Sequence, residues 1–168
     1  AFEQAAASNA NLKIKEQAAY NYALCIHETS YSAFGESVTV FEKFLNEFPT
    51  SPYAEKVSNY LVEVYMNTRS YEAALKSIER IAKPSAQIME AKQKILFQLG
   101  TQSFANANFE QALQYLNQSI AIGQYNRQTK ADAYYWCGES YYRLNRMMEA
   151  ARDFNAYLQL TTQPNNEM

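Results

Sequence analysis

The chain has 168 residues, of which 48% are hydrophobic and 19% are charged, and its net charge is −2. This composition leaves enough apolar side chains for one folded domain and excludes disorder caused by low hydrophobicity. The basic residues do not cluster, which argues against nucleic acid as a partner, and no apolar run approaches the roughly 20 residues that span a bilayer.

Helices are predicted along nearly the whole chain, because only four Gly and four Pro interrupt it. Residues 1–8 are interpreted as the end of a preceding helix pair, so we expect residues 1–168 to be a fragment of one longer array. Four helix pairs follow, at 11–48, 52–83, 86–123 and 126–162. The predicted helices are 11–28, 33–48, 52–67, 71–81, 86–105, 109–122, 127–144 and 147–160, with the first turn at 29–32.

Local signals predict where some of these helices begin and end. Ser51 followed by Pro52 is typical of an N-cap and a first helical residue. Asn108 is predicted to cap the helix that begins at residue 109, with Gln111 completing a capping box. Gly123 is predicted to end that helix in the left-handed conformation.

A spacing recurs in all four predicted pairs. Each pair contains two positions that are twelve residues apart and that often carry small side chains. A large apolar side chain stands four residues after the second position. The spaced positions are Cys25 and Ser37, Val62 and Ala74, Gly100 and Ala112, and Gly138 and Ala150; the large side chains are Phe41, Ile78, Leu116 and Phe154. Successive units are 37, 38 and 38 residues apart, counted from Ser37. A fixed spacing of small and large side chains predicts an all-α fold of stacked antiparallel helix pairs.

The fourth unit carries the pattern Tyr-x2-Cys-Gly-x2-Tyr followed by Ala-x3-Phe, and the other units carry parts of it in phase. The matching residues are Tyr134, Cys137, Gly138, Tyr141, Ala150 and Phe154; Leu96, Leu99, Gly100, Ala112 and Leu116; Leu61, Tyr65, Ala74 and Ile78; and Leu24, Ser37, Phe41 and Pro49. The chain therefore resembles tetratricopeptide repeat (TPR) proteins over nearly its whole length. The resemblance implies a right-handed α-solenoid, the TPR superhelix.

The sequence departs from the TPR pattern at several positions. Glu28 and Ser103 replace an aromatic residue, Cys25 and Val62 replace glycine, and the period exceeds the 34 residues of the family. Residues 41–54 are similar to the longer TPR units of bacterial cell-envelope proteins, of the outer-membrane assembly lipoprotein and Tol–Pal coordinator type. This similarity implies a bacterial periplasmic or cell-envelope location.

In TPR proteins the first helix of each pair lines a concave groove that binds peptides or partner proteins. The resemblance places these residues on that groove: Tyr22, Ile26, Lys56, Asn59, Glu63, Met66, Lys94, Phe97, Thr101, Phe104, Asp132, Tyr135, Glu139, Tyr142 and Arg143. Four aromatic rings, those of Phe97, Phe104, Tyr135 and Tyr142, are candidate anchors for a partner. The alternative is that individual rings fill gaps between neighbouring helices.

The asparagines with which chaperone-binding TPR proteins hold a carboxylate are replaced by Ile26, Glu63, Thr101 and Glu139, so a chaperone tail is not an expected ligand. His27 is the single histidine and is interpreted as a surface or inter-repeat residue. Cys25 and Cys137 are interpreted as buried packing residues. Catalytic, cofactor-binding and metal-ligating residues are not predicted.

The leading hypothesis is therefore a non-catalytic protein-interaction scaffold that binds an unknown protein or peptide in its groove. The alternative is an architectural spacer or homo-oligomerisation segment of a larger cell-envelope protein.

Overall fold

A computed structural model describes residues 2–29 and 34–162, with side chains from residue 10 onward. These ranges contain eight α-helices and no strand, which confirms the predicted all-α class. The helices are α1 (Phe2–Thr29), α2 (Glu36–Glu47), α3 (Ala54–Asn67), α4 (Tyr71–Glu79), α5 (Ala86–Ala105), α6 (Phe109–Ala121), α7 (Arg127–Arg143) and α8 (Met147–Thr162).

The last six helices begin and end within two residues of their predicted bounds. The beginning of the chain differs, because α1 runs without a break from Phe2 to Thr29 where a new helix was predicted near residue 11. Residues 2–10 contain neither Gly nor Pro, so nothing in this stretch opposes a continuous helix. The turn predicted at 29–32 lies mostly outside the described residues.

The helices form two compact units, residues 1–88 and 89–168. In unit 1, α1 packs against α2, and α2 packs against α3. The buried hydroxyl of Tyr65 on α3 is hydrogen-bonded to Ser77 on α4. The Arg80 guanidinium holds the largely buried Glu42 carboxylate through two bonds of 2.9 Å, which ties the end of α4 to α2.

In unit 2, α7 packs against both α6 and α8. The core between these helices and α5 is built on Ala112, Leu113, Leu116, Ala133 and Cys137. Small residues let the paired helices approach closely. A Cβ added at Gly100 on α5 would lie 2.6 Å from Leu116 Cγ on α6, and one added at Gly138 on α7 would lie 2.7 Å from Phe154 Cε1 on α8.

Two turns of unit 2 have the same backbone conformation. Ala107 between α5 and α6 has φ 60°, and Asn145 between α7 and α8 has φ 61°. The N–H of Asn108 donates to the carbonyl of Ser103 at 2.9 Å, and the corresponding bond of the second turn measures 2.8 Å. This is the hydrogen bond of a Schellman motif. The two left-handed residues are 38 positions apart, which is the period of the sequence pattern.

Three of the predicted helix ends need correction. Helix α3 begins at Ala54, because Ser51 accepts a bond from the backbone N–H two residues later, at 3.1 Å, and stabilises the preceding turn. Asn108 directly precedes α6, but its side chain makes no capping bond. Gly123 does not have a positive φ; a side chain there would instead collide with Lys130, whose Cδ lies 2.5 Å from the added Cβ.

We predict that Gly100→Ala destabilises the protein by about 1–2 kcal/mol, since the overlap with Leu116 outweighs the gain in helix propensity. Chemical denaturation followed by circular dichroism measures the change. Gly35→Ala is the control without overlap, because no described atom lies within 4 Å of a Cβ at Gly35. Gly35 is the N-cap of α2, so the control should cost less than about 1 kcal/mol, the loss expected when alanine replaces a good N-cap residue. Equal effects of the two substitutions would contradict the close approach of α5 and α6.

We predict that Ala107→Gly stabilises the protein by about 1 kcal/mol, because glycine adopts the left-handed conformation without the steric cost that alanine bears. The same exchange at Ala151, exposed and inside α8, should destabilise by about 0.5–1 kcal/mol. Denaturation midpoints of the two variants should therefore move in opposite directions. A loss of stability in Ala107→Gly would argue against the left-handed turn.

Candidate functional site

The predicted groove residues of α5 are mostly engaged within unit 2. Lys94 Nζ forms an ion pair with Glu90 Oε1 at 2.8 Å, one turn away on the same helix. The Thr101 hydroxyl donates to the carbonyl of Gln98 at 3.0 Å. Both contacts are local and exposed, so they position these side chains without contributing much stability.

Two of the four candidate aromatic anchors pack inside unit 2. Phe97 and Phe104 are half-buried and lie against the core of unit 2. The Phe104 ring centroid is 5.3 Å from that of Phe109 and 4.9 Å from that of Trp136, both in edge-on geometry. These two rings fill space between helices, as in the alternative interpretation of the sequence.

The other two candidate anchors, Tyr135 and Tyr142, have exposed side chains. Tyr142 is 55% exposed and Tyr135 is 37% exposed. The Tyr135 ring also packs on α8, with centroid distances of 5.8 Å to Phe154 and 5.5 Å to Tyr157. Residues 135, 139 and 142 share one face of α7, so Glu139 lies between the two rings. Arg143, the next residue, is exposed.

The predicted groove residues of unit 1 lie on α1 and α3. On α3, Asn59 and Glu63 are exposed one turn apart, and Met66 is half-buried. On α1, Ile26 is half-buried and Tyr22 is 60% exposed. The predicted groove residues therefore lie on α1 and α3 in unit 1 and on α5 and α7 in unit 2. Some of these side chains are exposed and others are half-buried.

A cavity between α1 and α2 was not predicted from the sequence. It has a volume of about 390 Å³ and is lined by Lys15, Ala18, Ala19, Tyr22, Val40, Lys43, Phe44 and Glu47. We call it the α1–α2 groove. Its lining follows the same spacing on both helices, i, i+3, i+4 and i+7, beginning at Lys15 and at Val40. That matched spacing is the signal that could have revealed the groove.

His27 packs between aromatic rings of unit 1. Its ring centroid is 5.3 Å from that of Phe41 on α2 and 5.3 Å from that of Tyr60 on α3. Its Nδ1 is buried, with no hydrogen-bond partner among the described atoms. These contacts place the half-buried His27 ring among α1, α2 and α3 of unit 1.

The two cysteines differ in burial. Cys137 is fully buried, as predicted, whereas the predicted burial of Cys25 is wrong, because that thiol is exposed. Cys25 lies five residues after the buried Tyr20, which places it well round α1 from the packed face. Burial raises the pKa of the Cys137 thiol to about 12, with a further contribution from the negative charge of Asp153.

Within the described side chains, no three His, Cys, Asp or Glu residues are grouped so that they could hold a metal ion. None of the described helices combines the length and the hydropathy needed to traverse a bilayer. The sequence matches no protein-family model, and no curated protein matches it significantly.

We predict that a thiol reagent modifies Cys25 quickly in the folded protein and modifies Cys137 only on unfolding. The Cys137 pKa is higher folded than unfolded, so its contribution to stability is complete below about pH 9 and is lost as pH rises toward 12. The loss amounts to about 1.4 kcal/mol per pH unit.

Denaturation between pH 9 and 11, within the range that the shift affects, measures this slope. Cys137→Ala should reduce it, and Cys25→Ala, at the exposed thiol, should leave it unchanged. Tyr65, whose burial raises its pKa to about 12, should keep part of the slope in both variants. An unchanged slope in Cys137→Ala would contradict a buried, neutral thiol.

Proposed function

We propose that the helix pairs stack into a right-handed solenoid of the TPR type and that the chain is a non-catalytic protein-interaction scaffold. The support is a helix–helix contact, a glycine facing a large apolar side chain, that recurs within unit 2. Gly100 contacts Leu116, and Gly138 contacts Phe154, each across a separation of sixteen residues. The left-handed turns follow the same period of 38 residues. Repetition of the same helix–helix contact and the same left-handed turn is typical of a repeat array.

The observation that favours partner binding is the exposed aromatic face of α7. Tyr142 exposes more than half of its surface, and Tyr135 beside it exposes more than a third. Exposed tyrosines supply large contact area at low entropic cost, and a partner that desolvates them gains binding energy. The proposed binding surface of unit 2 is therefore the α7 face that carries Tyr135 and Tyr142. In unit 1, the exposed Asn59 and Glu63 on α3 are the candidates for polar contacts.

The architectural spacer remains a second candidate because Phe97 and Phe104 are used for packing inside unit 2. A spacer needs such rings to hold adjacent helices together and needs no free anchors. A bacterial cell-envelope location is part of the proposal only through the similarity of residues 41–54 to envelope TPR units.

Site-specific photocrosslinking distinguishes the two candidates. We expect a photoreactive phenylalanine at Tyr142 or Glu63, on first helices, to form adducts with a partner protein in cells. The same probe at Gln118 on α6 or Glu79 on α4, both exposed, should form none. Adducts are identified by mass spectrometry, and those with a second copy of the chain are excluded. Equal adducts at all four positions, or none at any of them, would favour the spacer.

A further inference from the structure

We propose that the α1–α2 groove is a docking site for a second copy of this chain and that the α7 face carrying Tyr135 and Tyr142 occupies it. The groove belongs to unit 1 and the α7 face to unit 2. Tyr22 of the groove and Tyr135 and Tyr142 of the α7 face are exposed, and the proposed contact joins two copies. It uses the same α7 face as the partner binding proposed above, so one copy cannot make both contacts at once, but it requires only the purified chain.

The shape and the lining of the groove suit the binding of a helix. Its floor is apolar, formed by Ala18 and Ala19 on α1 and by Val40 and Phe44 on α2. The alanines keep the floor open on the α1 side, and Tyr22 forms an exposed wall. A cavity of about 390 Å³ between two helices accommodates several side chains from one face of a third helix.

The rim of the groove is mainly basic. Lys15 on α1 and Lys43 on α2 are both exposed. Within residues 10–29 and 34–162 neither ammonium group forms an ion pair. Glu47 is the single acidic residue of the lining. A helix that complements the groove therefore carries carboxylates beside its apolar side chains to pair with the two lysines. It also carries one cation near its end to pair with Glu47.

The α7 face has this composition. Asp132, Tyr135, Glu139 and Tyr142 follow one another at i, i+3, i+7 and i+10, so carboxylates and rings alternate along one side of the helix. Arg143 follows directly and supplies the cation that suits Glu47. The Asp132 carboxylate accepts a bond of 2.8 Å from Gln128 on the same helix, and neither acidic residue forms an ion pair within the described side chains.

Asp132 and Glu139 are seven residues apart, which corresponds to about 10 Å along a helix axis. Lys15 and Lys43 line the groove from α1 and from α2, so each helix of the groove offers one cation. The two surfaces differ, so each contact joins the groove of one copy to the α7 face of another. Exposed charge pairs at its rim make the association sensitive to salt.

Sedimentation velocity of the purified full chain over a series of concentrations tests the proposal. The unmodified chain is expected to associate reversibly, and less strongly at high salt. K15E/K43E, in the groove, and D132K/E139K, on α7, should each weaken self-association by about tenfold or more. K76E/K83E is the matched control, because it reverses two exposed lysines outside the groove, and it should associate like the unmodified chain.

Mixing the two charge-reversed variants gives the decisive result. The acidic groove of one then meets the basic α7 face of the other, so the mixture should associate more tightly than either variant alone. A monomeric unmodified chain, a control that dissociates as much as the groove variant, or a mixture that stays monomeric would overturn the proposal. If circular dichroism shows that a double variant is unfolded, the single changes K43E and E139K provide the same mixing test.

Discussion

The close approach of paired helices across a glycine is the constraint on which unit 2 depends. At Gly100 and Gly138 the facing side chain occupies the space that a Cβ would take. This contact fixes the distance between the two helices of each pair, and the three-residue Schellman turn fixes where the second helix begins. Because both features recur at the same interval, α5 with α6 and α7 with α8 are built on one plan.

Unit 1 achieves similar packing with different chemistry. Of the two positions that correspond to the glycines in the sequence pattern, Val62 is half-buried and Cys25 is exposed, and polar contacts assist the packing between helices. The Tyr65 hydroxyl bonds to Ser77, and Arg80 pairs with the buried carboxylate of Glu42. Such contacts cannot be inferred from a small-to-large spacing, because they depend on which polar side chains meet across two or more helices. They explain how the sequence pattern can weaken while the helices remain packed.

The sequence was sufficient for most helices, since Pro, Gly and apolar periodicity mark their ends and faces. Predictions from the sequence were wrong where the backbone conformation or the burial of a residue depends on its tertiary contacts. A Cβ at Gly123 would overlap the Lys130 stem and the Ile120 carbonyl oxygen, although the backbone angle of Gly123 is not left-handed. The left-handed position is held by Ala107, which carries no sequence signal for it. Likewise, the resemblance to TPR proteins implied that Phe97 and Tyr142 lie on similar helix faces, but only the structure shows that Phe97 packs half-buried against the core and that Tyr142 is exposed.

The position of Trp136 has a practical consequence. It is the only tryptophan in the chain, and its ring lies 4.9 Å from that of Phe104 and 5.5 Å from that of Tyr135, all within unit 2. Its fluorescence emission therefore reports the local order of unit 2, whereas unit 1 contributes only tyrosine emission. An unfolding transition followed by tryptophan emission and by total helix content would show whether the two units lose their structure in one cooperative step or in two.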